Sequence, residues 1–225
     1  MATTFTEERG LARVEATGSI AEAAGGIAVA VLAIVGLSRT DAGMLTAIAV
    51  IVLGAALLTE GGAIAAEFSR LMSLSGDTTM AGIEMGGGML SEVVIGAGVL
   101  VLGVLALVGV SPGTLLPISL LAAGGLLVVA APSVQRLNEI RLTTSSGLAE
   151  TGRHLIQAAS STATGIQILA GLAAVVLGIL ALTSTGTAVT GISATYTLVG
   201  LLVLGTTIVI SASAVTGNML RLFRR

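Results

Sequence analysis

A chain of 225 residues, 54% of them hydrophobic and only 10% charged, with a formal charge of −2 and a mean hydropathy of +1.05, is far from the composition of a water-soluble domain, in which about a quarter of residues carry charge. Apolar spans of about 20 residues, the length that crosses about 30 Å of hydrocarbon, use up most of this length and exclude a separate soluble catalytic domain. Cysteine and tryptophan are both absent, which excludes disulfides, thiolate nucleophiles, cysteine-held metals and a tryptophan belt at the membrane surface.

Residues 1–18 hold Glu7, Glu8, Arg9, Arg13 and Glu15. They lack the basic and then apolar order of a secretory signal, so they are expected to form a cytoplasmic N-terminal segment ahead of a retained first helix. Apolar runs follow at residues 20–37, 44–66, 90–110, 115–131, 165–182 and 192–214, each close to the length of a transmembrane helix. Ser38-Arg39-Thr40-Asp41, Ser111-Pro112-Gly113 and Thr183-Ser184-Thr185-Gly186 separate them in pairs and read as tight turns. Pro117 and Pro132 bracket the fourth run and are expected to mark its boundaries.

The fold class this predicts is an all-α membrane protein of six transmembrane helices built as three tandem helical-hairpin repeats. Hairpin one takes residues 19–73, hairpin two 87–141, and hairpin three 164–225 with a basic tail; residues 142–163 form a cytoplasmic connector with the character of an interfacial helix. Arginine supports the even count. With six spans, Arg39 falls on one face and Arg9, Arg13, Arg70, Arg136, Arg141, Arg153, Arg221, Arg224 and Arg225 on the other. By the positive-inside rule both termini are then cytoplasmic, with a bacterial inner membrane as the expected location.

The repeat shows in the odd helices. Leu32-Ala33-Ile34-Val35-Gly36-Leu37 matches Leu105-Ala106-Leu107-Val108-Gly109-Val110, and Val101-Leu102-Gly103-Val104-Leu105-Ala106-Leu107 matches Val176-Leu177-Gly178-Ile179-Leu180-Ala181-Leu182, at spacings of 73 and 75 residues. In the even helices Gly54, Gly124 and Gly205 align. Small residues two helical turns apart recur in the odd helices, as Ala23 and Ala30, Gly96 and Gly103, and Gly171 and Gly178. Each pair makes a smooth stripe that another helix can approach closely, either within one bundle or between subunits.

Candidate polar residues within or beside the spans are Glu22, Glu60, Glu92 and Gln167. A carboxylate at mid-bilayer costs at least about 2.5 kcal/mol and so usually faces a partner, a cavity or an ion path. At the spacings above, Glu92 aligns with Gln167 and Ser19, and Glu60 with Ser211, which sketches a polar ring about a threefold axis. The bland alternative is that Glu22 and Glu92 are solvated at the interface while Glu60 bonds a neighbouring helix. His154, the single histidine, stands four residues from Glu150, a surface pair rather than a metal site, which needs more ligands. Gly86-Gly87-Gly88 leads into Met89-Leu90 in a chain without lysine, so there is no phosphate-binding loop. No catalytic set, metal site, cofactor site or nucleic-acid surface is expected.

Three two-span repeats are also the plan of mitochondrial carriers, but the proline and acidic signature that ends their odd helices is replaced here by Leu37, Val110 and Leu182. The pattern of small residues with Leu177-Gly178-Ile179-Leu180-Ala181-Leu182 before a short turn resembles HdeD-like bacterial membrane proteins. That resemblance covers mainly the odd spans. It implies a compact six-span protein linked to acid resistance, and it carries over no site residues. The function expected from the residues is a non-enzymatic integral membrane scaffold or accessory subunit of a larger assembly, acting through lateral helix packing. Its expected partners are the lipid bilayer and either further copies in a homo-oligomer or other membrane subunits. The alternative is a small channel or transporter for a proton, ion or small solute that uses Glu60.

Overall fold

The computed structural model describes residues 23–39, 42–75, 80–144, 150–184 and 191–222, with side chains described mainly in the apolar parts of the helices. These residues form six helices: α1 (Ala23–Leu37), α2 (Gly43–Ser75), α3 (Met80–Leu107), α4 (Pro112–Thr144), α5 (Glu150–Ser184) and α6 (Ile192–Leu222). Three contain stretches long and apolar enough to cross a membrane, at Pro112–Val129, Gly165–Ser184 and Ile192–Ser211. The described apolar stretches of the others are shorter: Ala23–Leu37, Gly43–Thr59 and Val93–Leu107.

Each of α2, α4 and α6 continues past its described apolar stretch at its C-terminal end, and α3 and α5 begin before theirs at the N-terminal end. Neighbouring helices run in opposite directions, so these extensions all lie at the same end of the bundle. At about 1.5 Å per residue the helices measure roughly 42–52 Å, well beyond the thickness of a hydrocarbon core. The expected separate connector at residues 142–163 is therefore divided. Residues 142–144 end α4, and 150–163 are the opening turns of α5, continuous with its apolar part. A helix whose hydrogen bonds are already formed extends more easily than a new one nucleates, so polar residues flanking an apolar run are drawn into the same helix.

The prolines are not boundaries either. Pro112 opens α4, where its missing N–H has no partner to lose, while Pro117 and Pro132 lie inside the helix. The turn before α4 sits earlier in the chain than expected. Gly109 adopts φ 94°, the Val110 N–H donates to the Leu105 carbonyl at 3.0 Å, and the Gly109 N–H donates to Ala106 at 3.1 Å. This is a helix C-terminal motif that needs a left-handed residue, a place that suits glycine. Ser111 follows with φ 41°, and its carbonyl accepts the N–H groups of Thr114 and Leu115. A left-handed serine costs about 1 kcal/mol that glycine avoids. Ser111→Gly is expected to stabilise the protein by that order, read as a higher thermal midpoint in detergent.

Packing places α2, α4 and α6 inside. All three touch one another, whereas α3 and α5 do not meet among the described residues. The largest fully buried side chains belong mostly to this inner trio, among them Val50 and Leu53 of α2, Leu120 of α4, and Leu198, Leu201 and Leu204 of α6. The outer helices seat between them: α3 packs on α2 and α4, and α5 on α4 and α6. α1 packs on α6 through Gly26 against Gly205 and on α2 through Gly25 against Ala56. The first helix therefore closes on the last, and α1, α3 and α5 seat around the inner trio.

Candidate functional site

The small-residue stripes of α3 and α5 are the best-defined feature of the bundle, and both face inward. A Cβ built on Gly96 or Gly103 would stand 3.0 Å from the backbone nitrogens of Leu58 and Ile51 in α2. One on Gly171 would stand 2.7 Å from the Gly124 carbonyl oxygen in α4, and one on Gly178 would stand 2.7 Å from the Leu121 side chain. In α6, a Cβ on Gly205 would stand 2.8 Å from the Gly26 carbonyl oxygen in α1. Contacts this close are rare or absent for real Cβ atoms, so Gly96, Gly103, Gly171 and Gly205 let one backbone approach another, while Gly178 makes room for the Leu121 side chain. Seams of this kind join α2 to α3, α4 to α5 and α6 to α1. They do not fall within the pairs linked by the short turns.

Burial recurs in a fixed pattern. Gly26, Val29, Ala33 and Gly36 are buried in α1, Gly96, Val99, Gly103 and Ala106 in α3, and Gly171, Ala174, Gly178 and Ala181 in α5. The spacings are 70 residues (26 to 96) and 75 (96 to 171). In the inner helices Val50, Leu120 and Leu201 are equivalent, as are Leu53, Ala123 and Leu204, and Gly54, Gly124 and Gly205; all nine are buried. The first spacing corrects the expected 73, and the inward pair in α1 is Gly26 and Ala33, not the half-buried Ala23 and Ala30. Letters mislead here because apolar helices shifted by three residues, nearly one turn, still present similar sequences, and only packing fixes which face is inside.

The corrected spacing also changes the polar set. Gln167 becomes equivalent to Glu92 and Glu22, replacing Ser19, and Ser211 to Glu60 and Ala130. Gln167 Nε2 donates to Ser211 Oγ at 3.3 Å, joining α5 to α6. Glu60 and Glu92 belong to α2 and α3, but their side chains lie outside the described residues, as does Glu22 altogether. Gln167→Ala is expected to cost about 0.6 kcal/mol, the average for a hydrogen bond between membrane helices. A double-mutant cycle with Ser211→Ala, followed by unfolding in detergent, measures it.

Sequence reasoning missed the buried hydroxyls. Thr46 of α2, Ser119 of α4, and Thr197 and Thr207 of α6 are all buried. Each donates to the carbonyl four residues earlier in the chain, at 2.7, 2.8, 2.9 and 2.8 Å. A hydroxyl bonded in this way hides its polarity, so it needs no partner on another helix. Among the described residues no buried side-chain nitrogen or oxygen lacks a hydrogen-bond partner, and no cluster of histidines and carboxylates could hold a metal ion. Between the inner helices Val50, Leu120 and Leu201 are fully buried, and Leu120 reaches α6 at Gly200.

Exposure runs opposite to that of a soluble protein. The small residues are inside, and the exposed large aliphatic side chains are concentrated on α1, α3 and α5, such as Ile34, Val94, Val101, Leu169 and Ile179. In water a surface of this kind would be an aggregation site. Against acyl chains it is solvated. Helices apolar on nearly every side, packed through small residues, define the class: a helical membrane protein. Comparison with protein-family models, curated proteins and solved structures finds no match.

Proposed function

We propose that the chain is a six-span, non-enzymatic membrane protein of the bacterial inner membrane, built as three tandem hairpins with both termini cytoplasmic, and that it serves as a scaffold or accessory subunit of a larger membrane assembly. The observation that carries this reading is the pairing of an aliphatic exterior with an interior whose buried side-chain nitrogens and oxygens, among the described residues, all have hydrogen-bond partners. A bundle of this kind offers its surfaces and helix ends to other subunits.

The even helix count and the recurrence of burial at equivalent positions support the three-hairpin plan. The described apolar parts of α1, α2 and α3 pack side by side with the three longer stretches, and helices that share one bundle share one bilayer. The end at which α2 to α6 project is the face to which that plan assigns every arginine but Arg39. The likeness to HdeD-like proteins belongs to the same proposal. The stripes at Gly96, Gly103, Gly171 and Gly178 are occupied within the chain, so lateral packing on another subunit would have to use different residues.

Native mass spectrometry of the protein extracted gently from its own membrane tests the reading. A stoichiometric partner subunit is expected. A lone chain of 22.1 kDa, together with ion or proton flux in reconstituted vesicles that Glu60→Gln abolishes, would replace it with the transport alternative. Flux at background in both proteins removes Glu60 from any mechanism.

A further inference from the structure

We infer that the outward faces of α1, α3 and α5 are all covered by lipid acyl chains, and not by a second copy of the chain or a partner's helix. This rests on the six-span reading and deepens it, because it sends partner contacts to the projecting helix ends.

Three observations converge on acyl chains as the occupant. First, the three faces match at two successive levels. Val31, Val101 and Val176 occupy equivalent positions and are 52%, 54% and 54% exposed, and the next turn repeats this with Ile34, Val104 and Ile179. A partner helix seated on one face has no reason to leave that face matched to the other two, whereas lipid surrounds all three equally. Second, association between helices in lipid depends on close approach at small residues and on polar groups bonded across the gap, since acyl chains are as apolar as leucine. The small stripes of α1, α3 and α5 already hold α6, α2 and α4, and apart from Ala24, Gly98 and Thr183 the exposed positions within these helices carry large branched aliphatic side chains that hold a second helix at a distance. Third, the faces complement acyl chains in charge. The described apolar parts of these three helices contain no charged residue, and the exposed Ser38 and Thr183 hydroxyls each donate to their own helix. Nothing polar is left on these faces to bind a protein.

The chain contains no cysteine, so Val31→Cys, Val101→Cys and Val176→Cys each place a nitroxide at one known position in the full-length protein. In phosphatidylcholine–phosphatidylglycerol vesicles, collisional relaxation is read with oxygen, which concentrates in acyl chains, and with a water-soluble nickel chelate. The expected result is strong oxygen relaxation and weak nickel relaxation, alike at all three positions. A label shielded from both reagents at one position means that protein covers that face. That outcome overturns the inference while leaving six spans in place. Strong nickel relaxation at all three would instead sink the membrane reading itself. Ile34→Cys, Val104→Cys and Ile179→Cys, one turn further on, repeat the measurement at a second exposed level should any of the first set fail to insert.

Discussion

Gly171→Leu is expected to destabilise the bundle by about 3 kcal/mol, at the upper end of the overpacking range, whereas Gly98→Leu in α3 is expected to change little. The contrast follows from what each new side chain meets. At Gly171 the nearest atoms are the Gly124 carbonyl oxygen and the side chains of Val128 and Leu127, and the first of these is backbone that cannot step aside without moving α4. At Gly98 nothing lies within 4 Å. Both positions are glycines in the middle of apolar helices, so loss of helix propensity cannot explain a difference between them. Thermal unfolding in detergent, followed by circular dichroism or by protection from protease, measures both variants. Equal midpoints would mean that α4 and α5 do not pack through this seam.

Leu201→Ala and Val176→Ala form the second contrast. Leu201 is fully buried among the inner helices, so truncation leaves a void, and a loss of about 2–3 kcal/mol is expected. Part of the usual cost is missing, because a membrane helix that comes away from its neighbours meets lipid and not water. What remains is the loss of dispersion contacts around the cavity. Val176 is 54% exposed on α5, and removing two methyl groups there exchanges one apolar contact for another, so the midpoint should stay within experimental error. If Val176→Ala proved as costly as Leu201→Ala, the assignment of inner and outer helices would be wrong. The same result would point to a protein neighbour on the outer face.

Much of the architecture was legible in the chain because composition alone dictates the solvent. No arrangement of 54% hydrophobic residues with 10% charge hides its apolar surface in water. The helices could be read directly from their apolar runs, and Gly54, Gly124 and Gly205 stand out in them because glycine is chemically distinct among leucines and valines; all three are buried. Gln167 was visible as a polar residue in an apolar run, and the structure adds its partner Ser211. The side chains of Glu22, Glu60 and Glu92 lie outside the described residues. The helix ends were less legible, because polar residues such as those at 150–163 carry no mark that distinguishes a separate surface helix from the continuation of a long one.

What the sequence by itself determined is therefore the class: an all-helical chain whose composition demands lipid, with small residues at two-turn spacing in its odd helices. What only the tertiary structure decided is which way each helix faces and which helices are neighbours. Gly26 and Ala33 rather than Ala23 and Ala30 turn inward, α1 closes on α6, and the backbone seams join helices across the short turns' pairs. The physical reason is that a uniformly apolar helix has almost no hydrophobic difference between its faces. Its orientation is set by shape, by where a glycine lets two backbones touch, and that depends on residues far away in the chain.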